Sequence, residues 1–245
     1  MEHTELIDIN ADLGEGLTDD ALWMPWITSC NIACGGHAGN AETIKNSIQA
    51  ALESGVYIGM HPSYPDKINF GRIKMDIEPE ELSIILESQM LDFLQIAKSL
   101  NAPIHHLKCH GALYHEVANE PLMANMLVEL WKKLELNCII YLPPSSYLAS
   151  LCIKEEIPFW WEAFGDRRYL PDGQLAPREM QDALIEDPQL ALEQVLLLAQ
   201  TAPVSAIDGS SIQVPCDTIC FHTDAPASFE LLKYVINGMK EIAVK

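Results

Sequence analysis

The segment HHLKCHG, residues 105–111 near the middle of the chain, is the most informative about the fold. Side chains of a β-strand point alternately to its two faces, so His106, Lys108 and His110 share one face and the residues between them share the other. A strand in a parallel sheet is normally apolar on both faces. The pattern therefore predicts a strand with one packed face and one polar face, ended by a glycine turn.

Two further segments, one near each end of the chain, show the same alternation of polar with apolar residues. The polar positions are Asp8, Asn10 and Asp12 in the first segment and His222 and Asp224 in the second. Three strands that each carry one polar face indicate a shared polar interior.

Apolar runs of strand length alternate with segments of helical periodicity along the whole chain. The predicted strands cover residues 5–11, 28–34, 56–61, 104–110, 138–142, 158–163 and 218–222. The predicted helices run from a cap at Asn40 to Gly55, from Glu78 through Ala97, and over 119–134, 188–199 and 228–242. This alternation predicts a parallel sheet with crossover helices. Because the inner faces are polar, we expect the sheet to close into one α/β barrel domain of seven strands over residues 1–245.

Composition narrows the class of protein. The chain has 15 basic and 35 acidic residues and a formal charge of −20, which argues against nucleic acid or an anionic membrane as a partner. No apolar run approaches the roughly 18 residues of a membrane helix, and the amino terminus does not resemble a signal peptide, so a cytoplasmic location is expected. Seven cysteines without a CxxC pair indicate buried free thiols.

Residues suited to catalysis and binding collect where the predicted strands end, which is where parallel barrels carry their active sites. The candidate catalytic residues are Asp12, Lys108, His110, Glu162 and Asp166. The candidate substrate-binding residues are Asn10, Glu15, Asn31, His37, His61, Arg72, Arg167, Arg168, His222 and Asp224. Each of them alone also fits a helix cap, a turn or a structural ion pair. Their joint placement at one end of one barrel is what indicates a site.

Cofactor motifs are less informative. Neither GxxxxGK[ST] nor a GxGxxG after a strand occurs, so any ATP is bound unconventionally or by a partner. Asp12, His37, His61, His110 and His222 are ligand types that suit a divalent metal, but there is no HExxH motif and no tight local spacing. The residues themselves leave metal binding open.

Five blocks of sequence, in order along nearly the whole chain, resemble the LamB/YcsF family. They are DINADLGE at 8–15, NIACGGHAG at 31–39, HPSYPD at 61–66 with FGR at 70–72, HGALY at 110–114 and EAFGDRRY at 162–169. The chain departs from the usual family pattern at Cys109, where proline is common, and at Thr223, where glycine is common.

The resemblance implies an irregular seven-stranded (β/α) barrel akin to the glycoside hydrolase/deacetylase fold. It also implies ATP-dependent hydrolysis of the lactam 5-oxo-L-proline (pyroglutamate) to L-glutamate, carried out with the partner subunits B and C of a 5-oxoprolinase. On that substrate Asp12 would orient or deprotonate water, and Lys108 and His110 would stabilise negative charge. Arg72, Arg167 or Arg168 would hold the substrate carboxylate, and Glu162 and Asp166 would orient those cations or share the role of base.

Two other functions fit the same residues. The first is a stand-alone, metal-dependent deacetylase or amidohydrolase, which the fold analogy allows. The second is a protein that binds a small carboxylate without chemistry. The sequence also leaves homo-oligomer formation open.

Overall fold

Seven parallel strands close into a barrel in the computed structural model of the chain, which describes residues 7–17, 19–225 and 227–243. The barrel strands are β1 (Asp8–Leu13), β2 (Ser29–Ala33), β3 (Tyr57–His61), β4 (Ile104–Leu107), β5 (Ile139–Leu142), β6 (Phe159–Phe164) and β9 (Thr218–Phe221). A short hairpin of β7 (Val204–Ser205) and β8 (Ser211–Ile212) lies outside the barrel. Strand β9 pairs in parallel with both β6 and β1 and so closes the sheet. The predicted seven-stranded α/β barrel is confirmed.

Helices connect the strands on the outside of the barrel. They are α1 (Asp20–Trp23), α2 (Ala41–Ser54), α3 (Pro79–Ser99), α4 (Gly111–Asn119), α5 (Pro121–Lys133), α6 (Tyr147–Lys154), α7 (Pro188–Ala199) and α8 (Ser228–Ala243). The Asn40 side chain caps α2 by accepting from two backbone N–H groups, and Gly55 ends this helix in the left-handed conformation. Both ends of α2 are therefore as predicted.

Several boundaries differ from the sequence prediction. A single helix was predicted over 119–134, but Asn119 is the last residue of α4 and Pro121 begins α5. The two helices are separate because Glu120 between them is extended. Helices α1 and α6, the hairpin and most of α4 were not predicted. The first strand begins at Asp8 and continues to Leu13, and residues 5 and 6 of the predicted strand lie outside the described residues.

Strand β4 is shorter and less regular than predicted. Its register with β3 shifts at His105, because Ile104 and His106 pair with consecutive residues of β3. The strand ends at Leu107, but the backbone N–H groups of Lys108 and His110 still donate to carbonyl groups at the end of β3. The alternation of side chains therefore continues past the strand, and the predicted inward set of His106, Lys108 and His110 is buried.

The barrel has an apolar outer layer and a polar interior. Leu107 and Cys109 belong to the apolar core. Inside the barrel, a Cβ atom at Gly59 would lie 2.0 Å from Nε2 of His106, so the glycine leaves the room that this imidazole fills. All seven cysteines are free, as the sequence predicted. Within the described residues, no helix has both the length and the apolar character needed to cross a membrane.

Candidate active site

A buried lysine between two carboxylates forms the centre of the site. Nζ of Lys108 lies 2.9 Å from Oδ1 of Asp12 and 2.9 Å from Oε1 of Glu162. Lys108 is 3% exposed and Glu162 is 0% exposed. Three different strands or strand ends, β1, β4 and β6, contribute one member each. We call these three residues the ion triad.

The charges of the triad stabilise one another. Burial by itself would lower the pKa of Lys108, but Asp12 and Glu162 hold this pKa well above its ordinary value. Burial would likewise raise the pKa of Asp12, but Lys108 and His61 hold that pKa well below its ordinary range. A charged lysine and an ionised Asp12 therefore persist at neutral pH.

A layer of amides beneath the triad fixes Asp12. Nδ2 of Asn31 donates to Oδ1 of Asp12 at 2.8 Å and to Oδ1 of Asn10 at 2.7 Å. Nε2 of His106 donates to Oδ1 of Asn31 at 2.7 Å. Both asparagines and His106 are fully buried. Asn31 therefore holds the carboxylate of Asp12, while Asn10 and His106 hold Asn31.

One glutamate and three histidines converge beside Asp12. We call Glu15, His37, His61 and His110 the histidine cluster, since one ligand-type atom of each lies within 4.8 Å of the others. The imidazole rings of His37 and His110 stack with their centroids 3.6 Å apart. Burial lowers the pKa of His37 to about 2 and raises the pKa of Glu15 to about 8. Within the described residues, these four side chains are the set that could hold a metal ion.

Arginines surround the mouth of the barrel. Arg72 and Arg178 both contact Oδ2 of Asp224, and the Arg178 contact is 2.8 Å long. Arg167 donates instead to the backbone carbonyl of Ala176 at 2.5 Å. Arg178 was not among the predicted site residues. It lies far from the end of β6, in the long segment between β6 and α7, where no strand or helix periodicity marks its position.

His222 is held by Asp166. Its Nδ1 lies 2.9 Å from Oδ2 of Asp166, and its backbone N–H donates to the same carboxylate. Burial would raise the pKa of Asp166, but His222 lowers it below its ordinary value. Asp166 therefore orients His222.

These elements enclose a cavity of about 390 Å³ at the carboxyl ends of the strands. Nine of the predicted site residues line it: Asp12, Glu15, His61, Arg72, Lys108, His110, Arg167, His222 and Asp224. Six others lie outside the cavity lining: Asn10, Asn31, His37, Glu162, Asp166 and Arg168. For Asn10, Asn31, His37 and Arg168, the substrate-binding role stays a prediction, and the structure shows only that they do not line this cavity.

Some lining residues were not predicted as site residues. They are aromatic side chains, a hydroxyl and a cation: Phe70, Tyr114, Phe164, Thr223 and Arg178. Thr223, at the position where glycine was expected, donates its hydroxyl to the backbone carbonyl of Asp12 at 3.1 Å. The threonine thus supports the first strand from within the site.

Comparisons with known proteins agree on one family. The sequence profile of the LamB/YcsF family matches residues 7–245. A 5-oxoprolinase A subunit, the third of that name in Pseudomonas syringae pv. tomato, is 36% identical over 232 residues, which are 93% of this chain and 91% of that protein. The crystal structure of a lactam utilization protein from Thermus thermophilus superposes with a TM-score of 0.90 at 31% identity, covering 97% of each chain.

A more distant likeness concerns the fold alone. A GH113 β-1,4-mannanase matches with a TM-score of 0.55 at 10% identity, over 99% of this chain and 100% of that one. This agreement shows that the two chains share a barrel fold.

Proposed function

This chain belongs to the LamB/YcsF family, and we propose that it is the lactam-opening component of an ATP-dependent 5-oxoprolinase. In this role it hydrolyses 5-oxo-L-proline to L-glutamate together with partner subunits B and C. Support comes from the relatives, one named as the A subunit of a 5-oxoprolinase and one named a lactam utilization protein.

The observation that carries the proposal is the ion triad beneath a small cavity ringed by arginines. A cavity of about 390 Å³ suits a compact ligand. Arg72, Arg167 and Arg178 border it and offer bidentate partners for a carboxylate. Asp12 and Lys108 also border it. A small molecule with a carboxylate at one end and an amide at the other matches this distribution of charge.

The chemical difficulty is the lactam itself, a resonance-stabilised amide that water attacks slowly. Transfer of the γ-phosphoryl group of ATP to the amide oxygen would leave ADP and a far better electrophile. Water could then add at the former carbonyl carbon, and the bond from this carbon to the ring nitrogen would break. A second water would release phosphate and leave L-glutamate.

The site residues divide these tasks. Asp12 is ionised, borders the cavity and accepts from Asn31 and Lys108 through one oxygen, so its other oxygen is placed to orient or deprotonate water. Lys108 supplies a fixed positive charge near the developing oxyanion. Both ring nitrogens of His110 already face protein groups, so we assign it a positioning role and not direct stabilisation of charge. Glu162 holds Lys108 in place.

ATP is assigned to the assembly and not to this chain alone. The sequence contains no P-loop motif. The nucleotide would therefore be bound by, or shared with, the partner subunits.

The test is glutamate release from 5-oxoproline and ATP by the purified chain with and without subunits B and C. We expect little release by the chain alone and full activity after both partners are added. Robust ATP-dependent turnover by the single chain would contradict the division of labour. Substrate binding without turnover in the complete assembly would indicate a binding protein instead.

The histidine cluster suggests a second function, which the same assay tests. Four ligand-type side chains beside a cavity also suit a stand-alone, metal-dependent amidohydrolase. That enzyme would hydrolyse 5-oxoproline or another small amide without ATP once loaded with a divalent metal. Turnover without ATP would favour it, and dependence on ATP and partners would exclude it.

A further inference from the structure

The hydrogen bonds of His61 and His110 leave two lone pairs facing each other. Nδ1 of His61 lies 2.8 Å from the backbone carbonyl of Lys108, and Nε2 of His110 lies 2.9 Å from the carbonyl of Phe70. A carbonyl only accepts, so both of these ring nitrogens carry the hydrogen. A neutral imidazole has one N–H, and the remaining atoms, Nε2 of His61 and Nδ1 of His110, therefore present lone pairs to each other at 2.9 Å.

His37 also presents a lone pair to the cluster, but its protonated nitrogen is identified through a serine hydroxyl. The hydroxyl of Ser63 donates its one hydrogen to the carbonyl of Tyr64 at 3.0 Å. Nδ1 of His37, 2.9 Å from this hydroxyl oxygen, must then be the donor. Nε2 of His37 consequently presents its lone pair to Oε1 of Glu15 at 2.9 Å.

Four electron-pair donors thus converge, and none of the three imidazoles directs an N–H group towards the others. Oε1 of Glu15 also lies 3.5 Å from Nδ1 of His110, which joins the two facing pairs into one group. Two separate protons would be needed to satisfy both pairs, whereas one divalent cation satisfies all four atoms. We propose that Glu15, His37, His61 and His110 bind a single divalent transition-metal ion.

The spacing of the ligand atoms is compatible with a single metal ion. Metal–nitrogen and metal–oxygen bonds of about 2.0–2.2 Å place tetrahedral ligand atoms roughly 3.4 Å apart. Two separations, 2.9 Å and 3.5 Å, lie on either side of this value, and all four atoms lie within 4.8 Å of one another. Each histidine also donates its second ring nitrogen to a carbonyl or hydroxyl oxygen, the arrangement that orients metal-bound imidazoles.

The donor set selects the class of metal. Three imidazole nitrogens and one carboxylate oxygen suit Zn²⁺ and its neighbours Co²⁺, Fe²⁺ and Mn²⁺ far better than Ca²⁺ or Mg²⁺. Glu15, His61 and His110 border the cavity, whereas His37 lies behind them. The ion would therefore be closed on its inner side and reachable from the cavity, within a few ångströms of Asp12, which lies 3.5 Å from Nε2 of His61.

This inference stands apart from the proposed lactam chemistry, so binding is measured without substrate. The full chain, purified without a histidine tag, is treated with a chelator, dialysed and titrated with Co²⁺ and Zn²⁺. We expect one equivalent of Co²⁺ to bind with visible d–d absorption, and one equivalent of Zn²⁺ to displace it. A folded chain, checked by circular dichroism, that binds neither ion stoichiometrically would overturn the site.

Variants separate this cluster from other histidines. We expect His61→Gln to weaken binding at least about 100-fold and Ser63→Ala, which removes only the partner of His37, about 10-fold. The matched control is His115→Gln, since His115 also borders the cavity but lies outside the cluster. Equal losses in His61→Gln and His115→Gln would show adventitious binding and contradict the proposal.

Activity then distinguishes the two proposals. Tight metal binding without 5-oxoprolinase activity in the complete assembly would refute the proposed function and leave the metal site standing. Full activity of the metal-free assembly, with no ion bound at one equivalent when Zn²⁺ is added, would refute the metal site and leave the function standing.

Discussion

Two aspartates on the inner face of the same strand, Asp8 and Asp12, have opposite surroundings. Both oxygens of Asp8 accept from hydroxyls, namely those of Thr28 at 2.6 Å, Ser29 at 2.7 Å and Thr218 at 2.6 Å. Asp12 pairs instead with the buried cation Lys108 and borders the cavity. Neutral donors satisfy a carboxylate and make it structural, whereas a buried ion pair at an open mouth keeps a charged oxygen available for chemistry.

The two ends of the barrel differ in the same way. Near Asp8 the interior is closed by stacked rings, with His106 on Tyr141 at 4.0 Å and Tyr141 on Trp160 at 5.6 Å. At the other end the strands lead into the charged cavity. The residue type alone therefore does not distinguish Asp8 from Asp12. The side chains of other strands that contact each aspartate do.

The largest effect is expected at Lys108, the cation that pairs with Asp12 and not with Asp8. Lys108→Met should lower 5-oxoprolinase turnover by about 10³-fold, because an apolar chain cannot stabilise developing negative charge. It should also cost roughly 3–5 kcal/mol of unfolding free energy by leaving two buried carboxylates uncompensated. Steady-state kinetics of the complete assembly and urea unfolding measure the two effects.

A double variant tells these contributions apart. Lys108→Met combined with Glu162→Gln should recover part of the stability, since one of the stranded charges is removed, but none of the activity. Recovery of turnover in the double variant would show that Lys108 serves stability alone.

Asp12→Asn should have the next largest effect on turnover. The amide keeps the shape of the side chain but cannot take a proton, so we expect a loss of about 100-fold or more. The circular dichroism spectrum should be unchanged. If the variant turned over at the wild-type rate, the base would have to be another carboxylate at the mouth, such as Glu15.

Asp8→Asn tests whether Asp8 contributes to stability and not to activity. Its amide nitrogen would face hydroxyl donors, so we expect a loss of about 1–2 kcal/mol in unfolding free energy. Turnover should stay within about twofold of wild type once the protein is folded, since Asp8 does not border the cavity. A loss of activity as large as that of Asp12→Asn would erase the distinction between the two ends.

Cys109→Ala should have the smallest effect. The cysteine follows Lys108 and precedes His110, belongs to the apolar core and also borders the cavity. Removing its sulfur should cost about 1 kcal/mol of stability and leave turnover nearly unchanged. Comparable activity losses for Cys109→Ala and Lys108→Met would contradict the inward and outward assignment after β4.

The sequence predicts best what depends on local periodicity. The alternation at 8–12 and 105–110 identified the inward faces, and Asp12 and Lys108 lie together at the mouth as expected. It could not predict that Glu162 pairs with Lys108 and not with an arginine, because that choice depends on which strands lie opposite each other. The register shift at His105 and the approach of Arg178 have the same cause, since both depend on contacts between distant segments.

The histidine cluster shows this limit most clearly. Its members follow different strands, and only closure of the barrel brings Glu15, His37, His61 and His110 together. The metal ligands suggested by the sequence included Asp12 and His222, which lie outside the cluster, and did not include Glu15, which belongs to it. Residue type identified candidates, and hydrogen-bond partners selected among them.

A crystal structure of the chain with 5-oxoproline would show whether this cavity is the active site. We expect the lactam in the cavity at the carboxyl ends of the strands, with its carboxylate on one or more of Arg72, Arg167 and Arg178 and its amide next to Asp12 and Lys108. A ligand bound instead to the outer helices, or at the closed end near Asp8, would contradict the assignment of this cavity as the active site.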